Sequence, residues 1–193
     1  SWILCVAMAF PAVAQPSAAV APNAPSVAPA AAMTLTILHT NDLHGHVDEY
    51  NRDGSWCTST AAAQGLCIGG SARLATAIND IRSGNPNVLL LDAGDQFQGS
   101  LYYNLFKADI VTVTMNALGY DAMAIGNHEF DDGPAELARL IDGADFPILG
   151  ANIDVSAEPA LAGKIAPSKV VTRSGERIGI VGVTTPEAAN ISS

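Results

Sequence analysis

The first 41 residues contain no aspartate, glutamate, lysine or arginine, so every charged side chain follows Asn41. Positive charge is scarce throughout: 9 lysine and arginine residues stand against 19 acidic residues, which gives a net charge of −10. A surface that binds nucleic acid needs an excess of basic residues to neutralise phosphates. The composition therefore argues against a nucleic-acid partner and fits an exported protein, or one whose carboxylates bind cations.

The uncharged N-terminus has the pattern of an export signal. An apolar run at residues 2–10 ends at Pro11 and is followed by Ala12-Val13-Ala14, which resembles a cleavage site. We therefore predict a signal peptide at residues 1–14 with a clipped n-region, and a periplasmic or extracellular protein; a short buried helix is the alternative. The run is too short to cross a bilayer, so no transmembrane segment is predicted. Residues 15–33 are rich in proline and alanine and predict a linker.

Cysteine is also rare, with three residues in the chain. Cys5 lies in the predicted signal peptide, whereas Cys57 and Cys67 lie in a polar segment. An even pair in an exported protein favours a disulfide. Half of a zinc site is the alternative, although the spacing is long for one arm of a zinc finger.

Strand and helix patterns alternate from residue 34 to residue 193. Strands are predicted at 34–40, 88–91, 121–125 and 147–152, and helices at 71–84, 105–118 and 135–141. Residues 41–66 predict a loop, Ser71 a helix cap, and residues 168–183 a hairpin. This alternation predicts an α/β domain.

Polar clusters follow the first three predicted strands. Asp42 and His44 follow the first strand, Asp95 the second, and Asn127 with His128 the third. Each cluster alone could be a turn cap or a buried hydrogen bond. Functional residues of parallel sheets gather beyond the carboxyl ends of the strands, however, so we expect the three clusters to meet.

The residue types in these clusters suit cations. Asp42 and His44 alternate and can face one ion, the two oxygens of Asp95 can bridge two ions, and Asn127 offers an amide oxygen. Gly94 leaves room for close approach. His128 and Asp131 are three apart, so a helical turn would pair them, set the histidine tautomer and raise its pKa.

Neighbouring side chains receive lesser roles. Asn41 could orient Asp42 by a hydrogen bond. His39 is expected to be structural and His46 solvated. Arg73 could face a substrate, but a salt bridge is favoured.

Jointly, the motifs resemble the 5'-nucleotidase family of the calcineurin-like metallophosphoesterases. The similar segments are residues 37–45, 69–74, 87–99, 120–131 and 146–152. The resemblance implies a metallophosphoesterase-type layered β-sandwich flanked by helices, incomplete in this chain. It also implies two divalent metal ions, with Asp42 and His44 on one, Asp95 bridging and Asn127 on the other, and a catalytic pair of His128 and Asp131. The cysteine pair is similar to a loop disulfide of the ecto-enzymes.

The implied activity is two-metal hydrolysis of phosphate monoesters, chiefly of 5'-nucleotides to nucleoside and phosphate, with Zn, Mn, Fe or Co as the metal. Alternatives are 2',3'-cyclic nucleotides, UDP-sugars, a thiosulfohydrolase-type reaction, or a truncated, non-catalytic exported metal-binding module. The family carries later histidine motifs, yet no histidine follows His128. We therefore expect an N-terminal fragment whose metal site is weak or incomplete when it is alone.

Overall fold

The computed structural model describes residues 33–193, so the predicted signal peptide and nearly all of the predicted linker lie outside the described residues. Two short 3-10 helices, His128–Phe130 and Pro159–Leu161, accompany the main elements. In chain order these are β1 (Thr36–Thr40), β2 (Tyr50–Asn51), α1 (Ser59–Ala63), β3 (Cys67–Ile68), α2 (Ser71–Gly84), β4 (Val88–Asp92), α3 (Leu101–Phe106), α4 (Ala108–Leu118), β5 (Ala122–Ala124), α5 (Pro134–Gly143), β6 (Ile148–Leu149), β7 (Ser168–Arg173), β8 (Glu176–Val181) and α6 (Ala188–Ile191).

A parallel sheet in the order β1-β4-β5-β6 organises the described domain. The apolar run of β4 is buried at every position, as the sequence predicts for a strand covered on both faces. Alternation along β4 sends Leu90 into one apolar cluster and both Leu89 and Leu91 into the other. The sheet therefore separates two cores.

Helices cover the face that Leu90 joins. In α4 the buried residues Val111, Met115 and Leu118 recur at helical spacing and pack in the same cluster as Leu137 and Leu140 of α5. The helix α4 ends at Gly119, whose φ of 70° gives the left-handed C-cap that glycine allows. The longest described helix has 14 residues. No helix within residues 33–193 combines the length and hydrophobicity that a bilayer span requires.

The hairpin of β7 and β8 forms a further layer on the opposite face. Val171, Ile178 and Ile180 join the cluster that contains Leu89. Arg173 ties this layer to the sheet, because its guanidinium donates to the Val88 carbonyl at 3.1 Å and pairs with Asp121. The predicted α/β class and the predicted hairpin are confirmed.

Several local predictions need correction. The helix predicted at 105–118 is two helices, because Lys107 adopts φ 54° and ψ −137° and breaks the backbone direction between α3 and α4. The cap of α2 is Gly70 rather than Ser71, whose hydroxyl donates instead to the Val47 carbonyl at 2.9 Å. The loop predicted at 41–66 contains β2 and α1.

Candidate metal centre

The first and second polar clusters meet at the carboxyl edge of the sheet. Strand pairing places Thr40 opposite Asp92, so the residues that follow both strands emerge side by side. The backbone then continues the contact, because Asp42 N donates to the Gly94 carbonyl at 2.9 Å and His44 N donates to the Asp95 carbonyl at 3.1 Å. The third cluster follows β5, the next strand of the same sheet.

His44 is held in the tautomer that suits a metal ligand. Its Nδ1 lies 2.8 Å from the Phe97 carbonyl, which can only accept, so Nδ1 carries the proton. In the neutral ring Nε2 then keeps its lone pair, and this atom lies 3.8 Å from Asp42 Oδ1. Asn41 donates its side-chain amide to Asp42, as the sequence predicts.

His44, Asp95 and His128 come together directly. One ligand atom from each of these three residues lies within 4.8 Å of the other two, and the two imidazole rings are 5.0 Å apart between centroids. Asp95 Oδ1 also accepts the backbone N–H of His128 at 3.0 Å. Asn127, which precedes His128 in the sequence, is buried. The nitrogen of His44 and the oxygens of Asp95 and Asn127 are mixed donors that suit Zn, Mn, Fe or Co, so the residues present fit a transition-metal site beside His128.

His128 forms the predicted pair with Asp131. A 3-10 turn begins at His128, and the Nδ1 of this histidine lies 2.7 Å from Asp131 Oδ2. The side chain of Asp131 is only 3 % exposed. The other oxygen of Asp131 accepts the Ser193 N–H at 2.7 Å. Burial lowers the pKa of His128, but the hydrogen bond to Asp131 and the charges of Asp95 and Asp131 raise it more, so the pKa lies above its ordinary value.

Two glycines let the loops touch. A Cβ on Gly94, whose φ is 94°, would stand 2.6 Å from Gly126 Cα and 2.9 Å from the Ala124 carbonyl. A Cβ on Gly126 would stand 2.8 Å from Glu129 Oε2 and would also collide with Asp95. The absence of a side chain at Gly94 therefore allows the close backbone approach that the sequence predicts. The backbone that comes close is that of Gly126, which precedes Asn127.

A buried polar network behind the site has no counterpart in the sequence predictions. Asp92 accepts from the Thr40 hydroxyl at 2.5 Å, the Gly94 N–H at 2.8 Å and the Gln96 amide at 2.9 Å. Burial raises the pKa of Asp92 to about 8, against the lowering effect of these hydrogen bonds. The Thr40 hydroxyl also bonds Tyr120 at 2.6 Å. These hydrogen bonds join the end of β1 to the end of β4, where the loops with the proposed ligands begin.

Glu129 is a second residue that the sequence reasoning left without a role. It is 0 % exposed and receives backbone N–H groups from both the Asp95 loop and the Gly126 loop. The sequence offered one signal for this role: Glu129 is an acidic residue in a motif that follows a buried strand. A carboxylate is rarely buried without partners, so a buried Glu129 would need hydrogen-bond donors.

Cys57 and Cys67 form a disulfide, with Cα atoms 5.8 Å apart, so the alternative of half a zinc site is wrong. Arg73 pairs with Glu49 at 2.6 Å and donates to the Cys67 carbonyl at 2.5 Å, which confirms the salt-bridge interpretation. His46 is exposed, with Nδ1 3.0 Å from the Leu43 carbonyl, and His39 is exposed in β1.

Comparison with known proteins agrees with this arrangement. Residues 35–190 match the family model for calcineurin-like phosphoesterases. The chain belongs to this family. The fold class and family predicted from the sequence are thereby confirmed, with the described residues covering part of the domain.

Several similar proteins are nucleotidases by name. The chain is 47 % identical over 167 residues to the snake venom 5'-nucleotidase of Gloydius brevicauda, covering 85 % of this chain and 28 % of that protein. It is 46 % identical over 162 residues to the 5'-nucleotidase of Bos taurus, covering 82 % and 28 %. The crystal structure of the 5'-nucleotidase precursor from Thermus thermophilus superposes with a TM-score of 0.71 at 43 % identity, covering 82 % of this chain and 30 % of that one. The chain thus spans about 28 % of the length of the two curated relatives.

Proposed function

We propose that the protein to which this chain belongs hydrolyses phosphate monoesters with two divalent cations, and that its substrates are 5'-nucleotides. The observation that carries the proposal is the convergence of His44, Asp95 and His128 within 4.8 Å at the carboxyl edge of a parallel sheet. The relatives named 5'-nucleotidase support the substrate class.

The proposed ligand set is the one that the sequence predicts. Asp42 and His44 would hold one cation, Asn127 would hold the other, and the carboxylate of Asp95 would be a ligand of both. The lone pair left on His44 Nε2 and the contact of that atom with Asp42 support the first assignment. The approach of Asp95 to the backbone of His128 supports a carboxylate shared between the two loops.

Bound there, two divalent cations would supply Lewis acidity and a water of lowered pKa. The residues of this chain then handle the proton of the leaving group. His128, whose pKa lies above its ordinary value, is the proposed acid: in its charged form it carries a proton on Nε2 while Nδ1 stays bonded to Asp131. As a water oxygen bonds to phosphorus and the bond from phosphorus to the ester oxygen breaks, that proton passes from Nε2 to the departing oxygen. The products are the nucleoside hydroxyl and a phosphate that keeps the water oxygen.

The deciding experiment is a substrate panel with the full-length protein in Mn²⁺ or Zn²⁺. We expect phosphate release from AMP to exceed hydrolysis of 2',3'-cyclic AMP, UDP-glucose and thiosulfate. His128→Ala should lower kcat by at least about 100-fold, the lower range for a positioned acid or base. His46→Ala is the matched control, because His46 is an exposed histidine of the Asp42 loop, and it should keep wild-type turnover. Normal turnover of His128→Ala would refute the assignment.

We further propose that the protein is exported to the periplasm or the extracellular space, where small-molecule nucleotides are its partners. The disulfide between Cys57 and Cys67 supports this, because such bonds persist in oxidising compartments. Mass spectrometry of the mature protein should find an N-terminus near Gln15. A cytosolic protein that retains residues 1–14 would contradict the proposal.

A further inference from the structure

We propose that Glu129 is a positioning residue that sets the spacing of the cation ligands by gathering the backbone of two ligand loops around one buried carboxylate. The inference rests on the proposed function, because it gives Glu129 a part in that same site. Glu129 is assigned neither as a cation ligand nor as a group that touches substrate.

The carboxylate of Glu129 accepts hydrogen bonds from four backbone amides. Oε2 accepts Asp95 N at 2.9 Å and Gly126 N at 2.7 Å. Oε1 accepts Gln96 N at 2.7 Å and Phe97 N at 3.2 Å. A carboxylate offers about four acceptor positions, so both oxygens are fully used. These amides belong to loop backbone outside the strands.

Three of the four residues whose amides bond Glu129 are connected to predicted ligands. Asp95 is the proposed bridging residue, and it adopts a φ of 59° that needs support from its surroundings. The carbonyl of Phe97 holds His44 through Nδ1 at 2.8 Å. Gly126 immediately precedes Asn127. One side chain is therefore connected through backbone to the ligands of all three clusters.

A carboxylate suits this position better than its neutral analogue. Glutamine would replace one acceptor oxygen by an NH₂ group, which would face N–H donors and lose their hydrogen bonds. No lysine or arginine within residues 33–193 forms an ion pair with Glu129. Within the described residues, its partners are therefore backbone N–H groups and not a cationic side chain.

The test compares Glu129→Gln with Glu136→Gln in the full-length protein. Glu136 is a matched control, because it also accepts a backbone N–H, that of Ala108 at 2.9 Å, but it lies at the start of α5. Isothermal titration with Mn²⁺ should show about 10- to 100-fold weaker binding for Glu129→Gln, the range for residues that orient ligands. Glu136→Gln should bind Mn²⁺ as the wild type does. Wild-type Mn²⁺ affinity in Glu129→Gln would overturn the proposal.

A second measurement covers the case in which Glu129→Gln does not fold. In the metal-free wild-type protein, hydrogen exchange should be slow at the amides of Asp95, Gln96, Phe97 and Gly126, because each is bonded to a buried acceptor. Exchange at the rate of exposed loop amides would overturn the proposal. The Mn²⁺ titration needs no substrate, so its result is independent of AMP hydrolysis. A wild-type protein that binds Mn²⁺ but does not hydrolyse AMP would refute only the proposed substrate.

Discussion

Backbone conformation at single residues marks the candidate metal centre. Asp42, His44 and Asp95 adopt φ values of 54°, 49° and 59°. Non-glycine residues in this left-handed region cost free energy and persist only where the surroundings impose them. Three of the four predicted metal ligands share this conformation. The surroundings therefore hold these three proposed ligands in place, and positive φ values also occur at Gln98, Lys107 and Ser174.

The pair of His128 and Asp131 leads to a pH prediction. A charged histidine with a raised pKa stabilises the folded protein fully below the unfolded pKa of about 6.5, and this contribution is lost as pH rises through the higher folded value. In Asp131→Asn the negative partner is gone, so the pKa of His128 should fall. An NMR titration of the imidazole in metal-free protein measures this shift.

Asp132→Asn provides the control for that titration, because Asp132 is bonded to Tyr103 at 2.6 Å and Lys107 at 3.0 Å instead of to His128. The pKa of His128 should remain near its wild-type value in this variant. An equal fall in both variants would show that general charge, rather than the hydrogen bond of 2.7 Å, raises the pKa.

The convergence of His44, Asp95 and His128 was predictable from sequence, because it depends on where the strands end. Asp42, His44, Asp95 and His128 carry donor atoms and follow strands, and both features can be read along the chain. Glu129 and Asp92 could not be assigned in this way, because they act on backbone groups that the fold brings from elsewhere. The sequence does not show that the amide of Asp95 would lie 2.9 Å from a carboxylate 34 residues later.

At the scale of elements, the small sheet of β2 and β3 depends on few interactions. It pairs Tyr50 with Ile68 and Asn51 with Cys67, and the disulfide closes the segment between Cys57 and Cys67. A two-residue pairing is too short to be stable alone. The covalent bond therefore has to supply much of the order of this segment.

Replacing both cysteines by serine should lower the free energy of unfolding by about 2–3 kcal/mol, since the cross-link restricts the unfolded chain over a short loop. Urea denaturation of the double variant and of the wild type measures the change. Wild-type protein treated with a reductant serves as the control and should lose a similar amount. If neither loses stability, the segment is held by its hydrogen bonds.

Elements with strong periodicity were predicted well, and breaks in direction were not. The buried run of β4 and the helical spacing in α5 are local patterns. Lys107 interrupts an apolar stretch without glycine or proline, so nothing local indicates the change between α3 and α4. Its conformation is held by tertiary contacts instead, namely the ion pair with Asp132 at 3.0 Å and the ring of Tyr103 at 5.1 Å.

For the whole molecule, cations bound at the proposed centre would be a source of stability, and the net charge of −10 favours their binding. A ligand that binds only the folded state at 100 times its Kd adds about 2.7 kcal/mol. Removal of Mn²⁺ or Zn²⁺ by a chelator should therefore lower the Tm of the wild-type protein, and re-addition should restore it. Differential scanning calorimetry measures both steps.

Asp95→Ala should lose most of this response to the chelator, whereas Asp80→Asn, which removes an exposed carboxylate of α2, should keep it. The comparison separates a built site from general attraction to an acidic surface. A chelator effect of the same size in both variants would locate the stabilising cations outside the proposed centre.

The connection from Glu129 to the Asp95 loop also has a consequence in time. Ribosomes add about 5–20 residues per second, so the 34 residues that separate Asp95 from Glu129 take about 2–7 s to synthesise. Throughout that interval Asp42, His44 and Asp95 already exist in the nascent chain, but the carboxylate that gathers the two loops does not. On the proposal above, the two ligand loops of the growing polypeptide cannot gather around their common acceptor until Glu129 has been made.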